Sequence, residues 1–442
     1  MTTPDKKLQS VTLGCSKNKV DTERILAGAS SLYEIVPEEY GGHVDVLLLN
    51  TCGFIGDAKE ESVQAILEAV ERKNRGEVGR ILVFGCLSQR YSSELPELIP
   101  EVDGWFGARD LEPVYRALGI GQEHICNVSR LLTTPSHYAY LKISEGCDRR
   151  CSYCAIPFIR GPHRSIPMEQ LVEEAELLAA KGVRELIVIA QDTTYYGLDL
   201  YRRRALAELL QKLSEIDGIE WIRVHYSYPA AFPEDVLDQM ADNPKVCRYM
   251  DIPLQHISDK VLDKMHRNVT GEWTRNLIRR MRERVPGVVL RTTMIVGHPG
   301  EGKREFNELL DFVREARFER LGAFRYSEEE GTYGAENFKD SITARLKQER
   351  LDGLMMLQSD ISLAFNRSRV GSETKVIVDD FNDGIFVCRS EFESPEVDGE
   401  ILVRYDAALM GDVDPYSLVG DFITVRITGA DEYDLIAEPI EI

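Results

Sequence analysis

Three cysteines lie in one short loop of this 442-residue chain, at Cys147, Cys151 and Cys154, directly after a predicted strand over residues 138–144. Three thiolates this close can bind three irons of a four-iron cluster and leave the fourth iron open for a reactant. Structural zinc is the alternative, but it is closed by four ligands in two pairs, and the chain has no second Cys-x-x-Cys pair. The spacing therefore favours an iron–sulfur cluster at the end of a strand.

A second set of cysteines, Cys15, Cys52 and Cys86, shares one local pattern: each follows a short apolar run and precedes a helical pattern. Repeated units of this kind predict a doubly wound α/β domain, in which the carboxyl ends of parallel strands meet at one edge. A single buried cysteine is usually only packing, but three at the same place in successive units predict the ligands of a second cluster. Three further cysteines lack this context: Cys126, Cys247 and Cys388.

The central part of the chain alternates predicted strands and helices. About six such units predict a partial parallel barrel with its site at the carboxyl ends of the strands, where the first cysteine loop also lies. Candidate ligand-binding residues at these ends are Gln191, Asp192, His225, Tyr226, Gln255, His256, Gly297 and His298. The side chains of Arg160, Arg164 and Arg223 are candidates to bind a carboxylate.

The chain is too long for one hydrophobic core, and we expect an α/β protein of three domains, over residues 1–133, 134–370 and 371–442. Five short alternating segments in the third domain predict a small antiparallel β-barrel that resembles the OB type.

The first cysteine loop resembles the CxxxCxφC signature of the radical S-adenosylmethionine (SAM) superfamily, in which φ is aromatic, and Tyr153 occupies the φ position. The segments TLGCSKNKVDTE, LLLNTCGFIGDAKEESVQAI and FGCLSQRY are similar to the N-terminal domain of the methylthiotransferases, and SPEVDGEILV is similar to their TRAM domain. The resemblance covers essentially the whole chain. It implies two [4Fe–4S] clusters, with SAM as radical source and methyl donor.

The same resemblance assigns roles to the candidate residues. It implies that Cys147, Cys151 and Cys154 hold the catalytic cluster at which SAM is cleaved, and that Cys15, Cys52 and Cys86 hold the cluster that delivers sulfur. Apart from the resemblance, position in the first cysteine loop or at or near the strand ends gives the residues expected to contact SAM: Tyr153, Gln191, His225, Gln255, Gly297 and Arg223.

Within this family, GCSKNKVDTE, IAQDTTYYG, VHYSYP and DIPLQH are similar to the branch that modifies the β-carbon of an aspartate in the twelfth protein of the small ribosomal subunit. The sister branch modifies isopentenyl-adenosine in transfer RNA. From Lys375 onward, 17 acidic residues face four basic ones, a net charge of −13 out of −21 for the chain. Such a module suits a basic protein better than phosphates. Transfer RNA and, further off, a zinc-binding interaction protein remain the alternatives.

We expect a cytoplasmic enzyme that receives electrons from a separate donor. The chain has no apolar run long enough to span a membrane and does not begin with a signal peptide. The partners expected are the basic ribosomal protein, bound through the acidic third domain, and the electron donor. No membrane partner is expected, and nucleic acid is not expected as a direct substrate.

Overall fold

The computed structural model describes residues 4–406 and 414–441, so residues 1–3 of the predicted first domain and residues 407–413 and 442 of the third lie outside the described residues. The fold has three sheets that follow one another along the chain, two of them parallel and one closed into a barrel. No helix within the described residues is long and apolar enough to cross a membrane.

The N-terminal region is a five-stranded parallel sheet in the order β2-β1-β3-β4-β5, with apolar clusters and helices on both faces. Its strands are β1 (Lys7–Thr12), β2 (Glu34–Val36), β3 (Val44–Thr51), β4 (Val78–Gly85) and β5 (Gly104–Trp105). Its helices are α1 (Ser16–Ala29), α2 (Gly56–Asn74), α3 (Cys86–Arg90), α4 (Leu95–Leu98) and α5 (Glu112–Ala117). The predicted doubly wound α/β arrangement is confirmed.

The central region is a six-stranded parallel sheet in the order β13-β12-β11-β10-β9-β6, which confirms the predicted partial barrel. Its strands, with the two-stranded ribbon β7-β8, are β6 (Tyr138–Lys142), β7 (Ser144–Glu145), β8 (Arg164–Ser165), β9 (Glu185–Ile189), β10 (Trp221–Val224), β11 (Val246–Asp251), β12 (Val289–Val296) and β13 (Arg320–Arg325). Its helices are α6 (Ile156–Arg160), α7 (Met168–Ala180), α8 (Leu206–Ser214), α9 (Asp235–Asp242), α10 (Asp259–Lys264), α11 (Gly271–Arg284), α12 (Lys303–Ala316), α13 (Tyr333–Asn337) and α14 (Ala344–Arg369). The main hydrophobic core of the chain lies between these helices and the sheet.

The C-terminal region is a closed barrel of five strands in the order β14-β15-β16-β18-β17. These are β14 (Glu373–Asn382), β15 (Ile385–Arg389), β16 (Ile401–Arg404), β17 (Phe422–Ala430) and β18 (Leu435–Glu441). The predicted barrel is confirmed with one difference, since β16 and β18 pair in parallel and the other pairs are antiparallel. A closed ring with an odd number of strands cannot alternate direction throughout, so one parallel pair is required.

Residues 390–398 of the C-terminal region pack against the central sheet. Glu393 is buried in ion pairs with Arg320 of β13 and Arg369 of α14, and Asp398 accepts a hydrogen bond of 2.6 Å from the Tyr249 hydroxyl. Burial alone would raise the pKa of Glu393, but the two arginines lower it to about 2. These acidic residues therefore hold the barrel to the core of the chain.

Candidate functional site

The first cysteine triplet (Cys147, Cys151 and Cys154) lies in the loop between β7 and α6, beyond the carboxyl end of β6. All three thiols are free and partly buried. Burial raises the pKa of Cys147 to about 12, and it also raises the pKa of Cys154. A coordinating metal takes the thiolate and reverses this protonation.

Hydrogen-bond donors already point at the first triplet. The backbone N–H of Arg149 lies 3.4 Å from the Cys147 sulfur, and Nη1 of Arg267 lies 3.4 Å from the Cys151 sulfur. Such donors stabilise thiolate ligands and adjust the potential of a cluster. The donor set therefore fits an iron–sulfur cluster.

Arg267 and Tyr153 form one side of the first triplet. Nη1 of Arg267 also lies 3.4 Å from the Tyr153 hydroxyl, and its guanidinium lies 4.2 Å from the centre of the Tyr228 ring. The guanidinium of Arg149 lies 4.0 Å from the centre of the same ring. Sequence reasoning missed Arg267 and Tyr228, because a lone arginine after a short helix carries no motif.

The second cysteine triplet (Cys15, Cys52 and Cys86) follows three strands that are neighbours in the N-terminal sheet, β1, β3 and β4. Cys15 precedes the first residue of α1, Cys52 follows β3 directly, and Cys86 is the first residue of α3. Burial raises the pKa of Cys86 to about 12; the Arg160 guanidinium opposes this shift, and Cys15 and Cys52 add to it. The structure thus places at neighbouring strand ends three cysteines of which the first and last are 71 residues apart in sequence, as the strand pattern predicted.

Gly14 allows the carboxyl ends of β1 and β3 to approach each other closely. A Cβ atom at Gly14 would lie 2.7 Å from the Cβ atom of Cys52 and 3.0 Å from its sulfur, and Gly14 has a φ of +89°. Both the close contact and the left-handed backbone require glycine here.

The buried side chain of Arg160 links the two triplets. It extends from α6, directly after the first triplet, and its Nε lies 3.3 Å from the Cys86 sulfur of the second. Its Nη1 pairs with Asp21 of α1 at 2.7 Å and with Glu145 at 3.2 Å. Sequence reasoning offered Arg160 only as a candidate for binding a carboxylate.

Lys142 and Glu145 complete this buried network. Lys142 pairs with both Asp21 and Glu145. Burial alone would raise the pKa of Glu145, but Lys142 and Arg160 together lower it to about 2. The N-terminal and central regions are therefore joined by charges placed between the two sets of thiols.

Two predicted SAM contacts, Gln191 and Gln255, lie at strand ends of the central sheet and keep a free acceptor. Nε2 of Gln191 donates to Glu145 at 2.7 Å. The amide oxygens of both glutamines are buried without a hydrogen-bond partner among the described residues. Buried polar atoms are nearly always paired, so these oxygens fit a site that a polar ligand completes.

Three other predicted SAM contacts are engaged elsewhere. Arg223 is fully buried, pairs with Glu185 at 2.8 Å and donates to the backbone oxygens of residues 390 and 391. The Nε2 atom of His225 lies 2.9 Å from the Ser394 hydroxyl oxygen. A Cβ atom at Gly297 would lie 2.4 Å from Cγ of Lys347, so packing against α14 already requires this glycine.

These contacts give Arg223, His225 and Gly297 structural roles; that the three residues contact SAM stays a prediction. Arg223 and His225 lie on or directly after β10, whose inner face meets residues 390–398 rather than open space.

Across residues 4–406 and 414–441, no three His, Cys, Asp or Glu side chains are arranged to bind one metal ion. A four-iron cluster binds each cysteine through a different iron, so its ligands need not converge on one point.

Comparison with known proteins divides the chain into three matches. Residues 7–107 match the Uncharacterized protein family UPF0004, residues 141–313 match the Radical SAM superfamily, and residues 370–440 match the TRAM domain.

Solved structures agree on the fold. The radical SAM methyltransferase TsrM from Kitasatospora setae, solved with cobalamin and a [4Fe-4S] cluster, superposes with a TM-score of 0.53 at 17% identity, over 75% of this chain and 77% of that one. The cobalamin-dependent SAM radical enzyme OxsB superposes with a TM-score of 0.52 at 13% identity, over 80% of this chain and 56% of that one. At such identities the likeness concerns the fold alone.

Full-length relatives are much closer in sequence. A protein of Bacteroides fragilis named ribosomal protein uS12 methylthiotransferase RimO is 48% identical over 98% of this chain and 99% of its own length. A protein of Porphyromonas gingivalis with the same name is 50% identical over the same shares of the two chains. The chain belongs to this RimO family of radical SAM methylthiotransferases.

Proposed function

We propose that this chain adds a methylthio group to the β-carbon of an aspartate in the ribosomal protein uS12. Its full-length relatives, at about half identity, are named uS12 methylthiotransferases, and the aspartate β-carbon is the target that the family resemblance implies. A saturated carbon offers no acidic proton to a general base, so its substitution needs radical chemistry, which belongs to a cofactor.

The two triplets are the proposed ligands of two [4Fe–4S] clusters, the first with an open iron for SAM. When bound, the first cluster supplies the electron that cleaves SAM, and the second supplies the sulfur. Arg149 and Arg267 would stabilise the sulfur ligands of the first cluster through the contacts described above. The free amide oxygens of Gln191 and Gln255 would accept hydrogen bonds from SAM.

The observation that carries the proposal is the contact of Arg160 with Cys86. The same helix that follows the first triplet reaches a ligand of the second through a side chain that is 2% exposed. The group that generates the radical and the group that donates sulfur must act on the same carbon. The short, buried contact between Arg160 and Cys86 supports a proposal in which the two clusters lie close enough to act on one substrate.

The proposed substrate is basic, and it would bind to the acidic surface of the C-terminal region. The exposed acidic side chains among the described residues of this region are Glu373, Asp380, Asp383, Glu396, Glu400, Asp406, Asp414, Asp421, Asp431, Glu432 and Glu438. Glu391, Glu393 and Asp398 instead pair with arginines of the central region. Exposed charge of one sign steers an oppositely charged partner and disfavours nucleic acid. We place the reaction in the cytoplasm, where thiols stay reduced, with electrons from a separate donor.

Mass spectrometry of the products tests the proposal. The full chain, reconstituted anaerobically with iron and sulfide, is given SAM, a reductant and either purified uS12 or unmodified transfer RNA. We expect a methylthio group on one aspartate of uS12 and none on RNA. Modified adenosine would contradict the substrate while leaving the two-cluster chemistry, and an unmodified product in both arms would contradict the proposed function.

A further inference from the structure

Lys17 is a buried cation without an anionic partner. It lies in the first turn of α1, two residues after Cys15, and only 7% of its surface is exposed. Its ammonium nitrogen lies 3.0 Å from the centre of the Tyr226 ring. Of the buried Lys and Arg residues that the structure describes, it is the only one with neither an ion pair nor a hydrogen bond.

Other buried basic side chains between the N-terminal and central regions have acidic partners, unlike Lys17. Lys142 and Arg160 are each paired with Asp21 and Glu145, and Arg130 is paired with Glu23 and Glu174. Burial of an ammonium group without a counter-charge is costly, and contact with one aromatic ring offsets only part of that cost. The Lys17 ammonium therefore has no protein counter-charge and is available to an anion.

The ring beneath Lys17 is held in place by the central region. Tyr226 follows β10 with a φ of +60°, a conformation that tyrosine adopts only when its surroundings hold it there. Its backbone N–H donates to Asp251 at 2.9 Å, and its backbone oxygen accepts from the N–H of Thr193 at 3.2 Å. Left-handed strain at a strand end is a frequent mark of a binding site.

Lys17 and Tyr226 belong to elements that are connected to the two triplets. On one side, Lys17 is two residues from Cys15 of the second triplet. On the other side, Thr193 follows Asp192, which pairs with Arg149 at 2.8 Å, and the N–H of Arg149 points at the Cys147 sulfur. A group that pairs with Lys17 would thus contact α1, which follows Cys15, and a strand end that is connected through Thr193, Asp192 and Arg149 to the first triplet.

We infer that Lys17 binds the side-chain carboxylate of the aspartate that is modified. The inference rests on the proposed function and deepens it. The carboxyl carbon is bonded to the β-carbon, so an ammonium that holds the carboxylate also fixes the position of the reacting carbon. The neutral amide of asparagine could accept a hydrogen bond but would leave Lys17 without a counter-charge, which makes Lys17 a residue that selects aspartate.

The test is a comparison of binding with two substrates and several enzymes. The reconstituted full-length enzyme is titrated with purified uS12 and with a uS12 variant that carries asparagine in place of the target aspartate. Wild type should prefer the aspartate form by about 30-fold or more. In Lys17→Met and Lys17→Gln this ratio should fall to near one, because only the aspartate form loses affinity, and Lys17→Arg should retain a preference for aspartate.

Lys19→Met is the matched control, since Lys19 lies on the same helix but is partly exposed and pairs with Glu396 at 2.5 Å; it should keep the wild-type ratio. An unchanged ratio in Lys17→Met overturns the inference, and so does loss of iron from both neutral variants, which would make Lys17 a support of the second triplet. Weaker SAM binding with an unchanged ratio would also overturn it. If wild type neither binds nor modifies uS12, the proposed function itself fails.

Discussion

The two cysteine triplets contain the same ligands but are built in opposite ways. The first lies within one loop, so its geometry depends on eight consecutive residues. The second is assembled from the ends of β1, β3 and β4 and depends on the register of a sheet, in which Thr12 lies beside Asn50 and Asn50 beside Phe84. A local motif can be recognised directly, whereas a site formed by topology is visible only when the strands are placed side by side.

Separate removal of each triplet should show that the two sites fill independently. We expect roughly eight irons per reconstituted wild-type chain and roughly four when all three cysteines of either triplet are replaced by alanine. Iron and acid-labile sulfide analysis measures this. Wild-type iron content in the variant that lacks Cys15, Cys52 and Cys86 would contradict a cluster at the second triplet.

Substitution of Gly14, which is not a cluster ligand, should prevent the second triplet from binding its cluster. In Gly14→Ala the new methyl group would meet the Cys52 side chain at 2.7 Å on a backbone with φ of +89°. We therefore expect iron content to fall by about half, with the first triplet still occupied. The control is Gly76→Ala, where φ is +76° and no atom lies within 4 Å. It should cost about 1 kcal/mol of stability and keep both clusters.

Replacement of Arg160, which links the two triplets, should change the midpoint potential of the second cluster more than that of the first. A cation beside a cluster ligand favours the reduced, more negative state, so Arg160→Gln should lower the midpoint potential of the second cluster by on the order of 50 mV. Redox titration followed by electron paramagnetic resonance measures this in a chain that lacks the first triplet. Arg130→Gln is the matched control, because Arg130 is an equally buried boundary arginine that touches Glu23 and Glu174 but no cysteine. Equal shifts in both variants would contradict a specific role for Arg160.

The smallest effect expected is a pH dependence at the boundary with the C-terminal barrel. Burial lowers the pKa of His225 to about 3; Asp251 opposes this shift, and Arg291, Arg223 and Lys17 add to it. The unfolded chain therefore binds one more proton than the folded chain between about pH 6.5 and pH 3. Stability falls as pH falls through this window, by up to about 1.4 kcal/mol per pH unit for this group.

His225→Gln should make the decline between pH 6.5 and 4.5 shallower, as measured by urea unfolding midpoints. Below about pH 4.5 the buried carboxylates Glu145 and Glu393, whose pKa values are lowered to about 2, should cause further loss in both proteins. Replacement of the exposed His124 by glutamine is the control. An unchanged slope in His225→Gln would show that this histidine is not the source.

The sequence predicted the helices, the strands and the strand ends better than it predicted which side chains are free to bind a ligand. Cys15, Cys52 and Cys86 were placed correctly because apolar runs mark parallel strands, whose carboxyl ends share one edge. The contacts of Arg223 and His225 with residues 390–394 could not be predicted, because that segment comes from another region of the chain and no local pattern indicates the contact. Arg160 and Lys17 became informative only when burial and partners were known, since an isolated basic residue is usually solvated.

The most direct test of the account measures 5′-deoxyadenosine and methylthiolated uS12 side by side in Cys151→Ala and Cys52→Ala. We expect Cys151→Ala to form neither product. We expect Cys52→Ala to form 5′-deoxyadenosine but no methylthio group, because the first triplet is intact and the second is not. Methylthiolated uS12 from Cys52→Ala, or 5′-deoxyadenosine from Cys151→Ala, would contradict the assignment of SAM cleavage to the first triplet and sulfur delivery to the second.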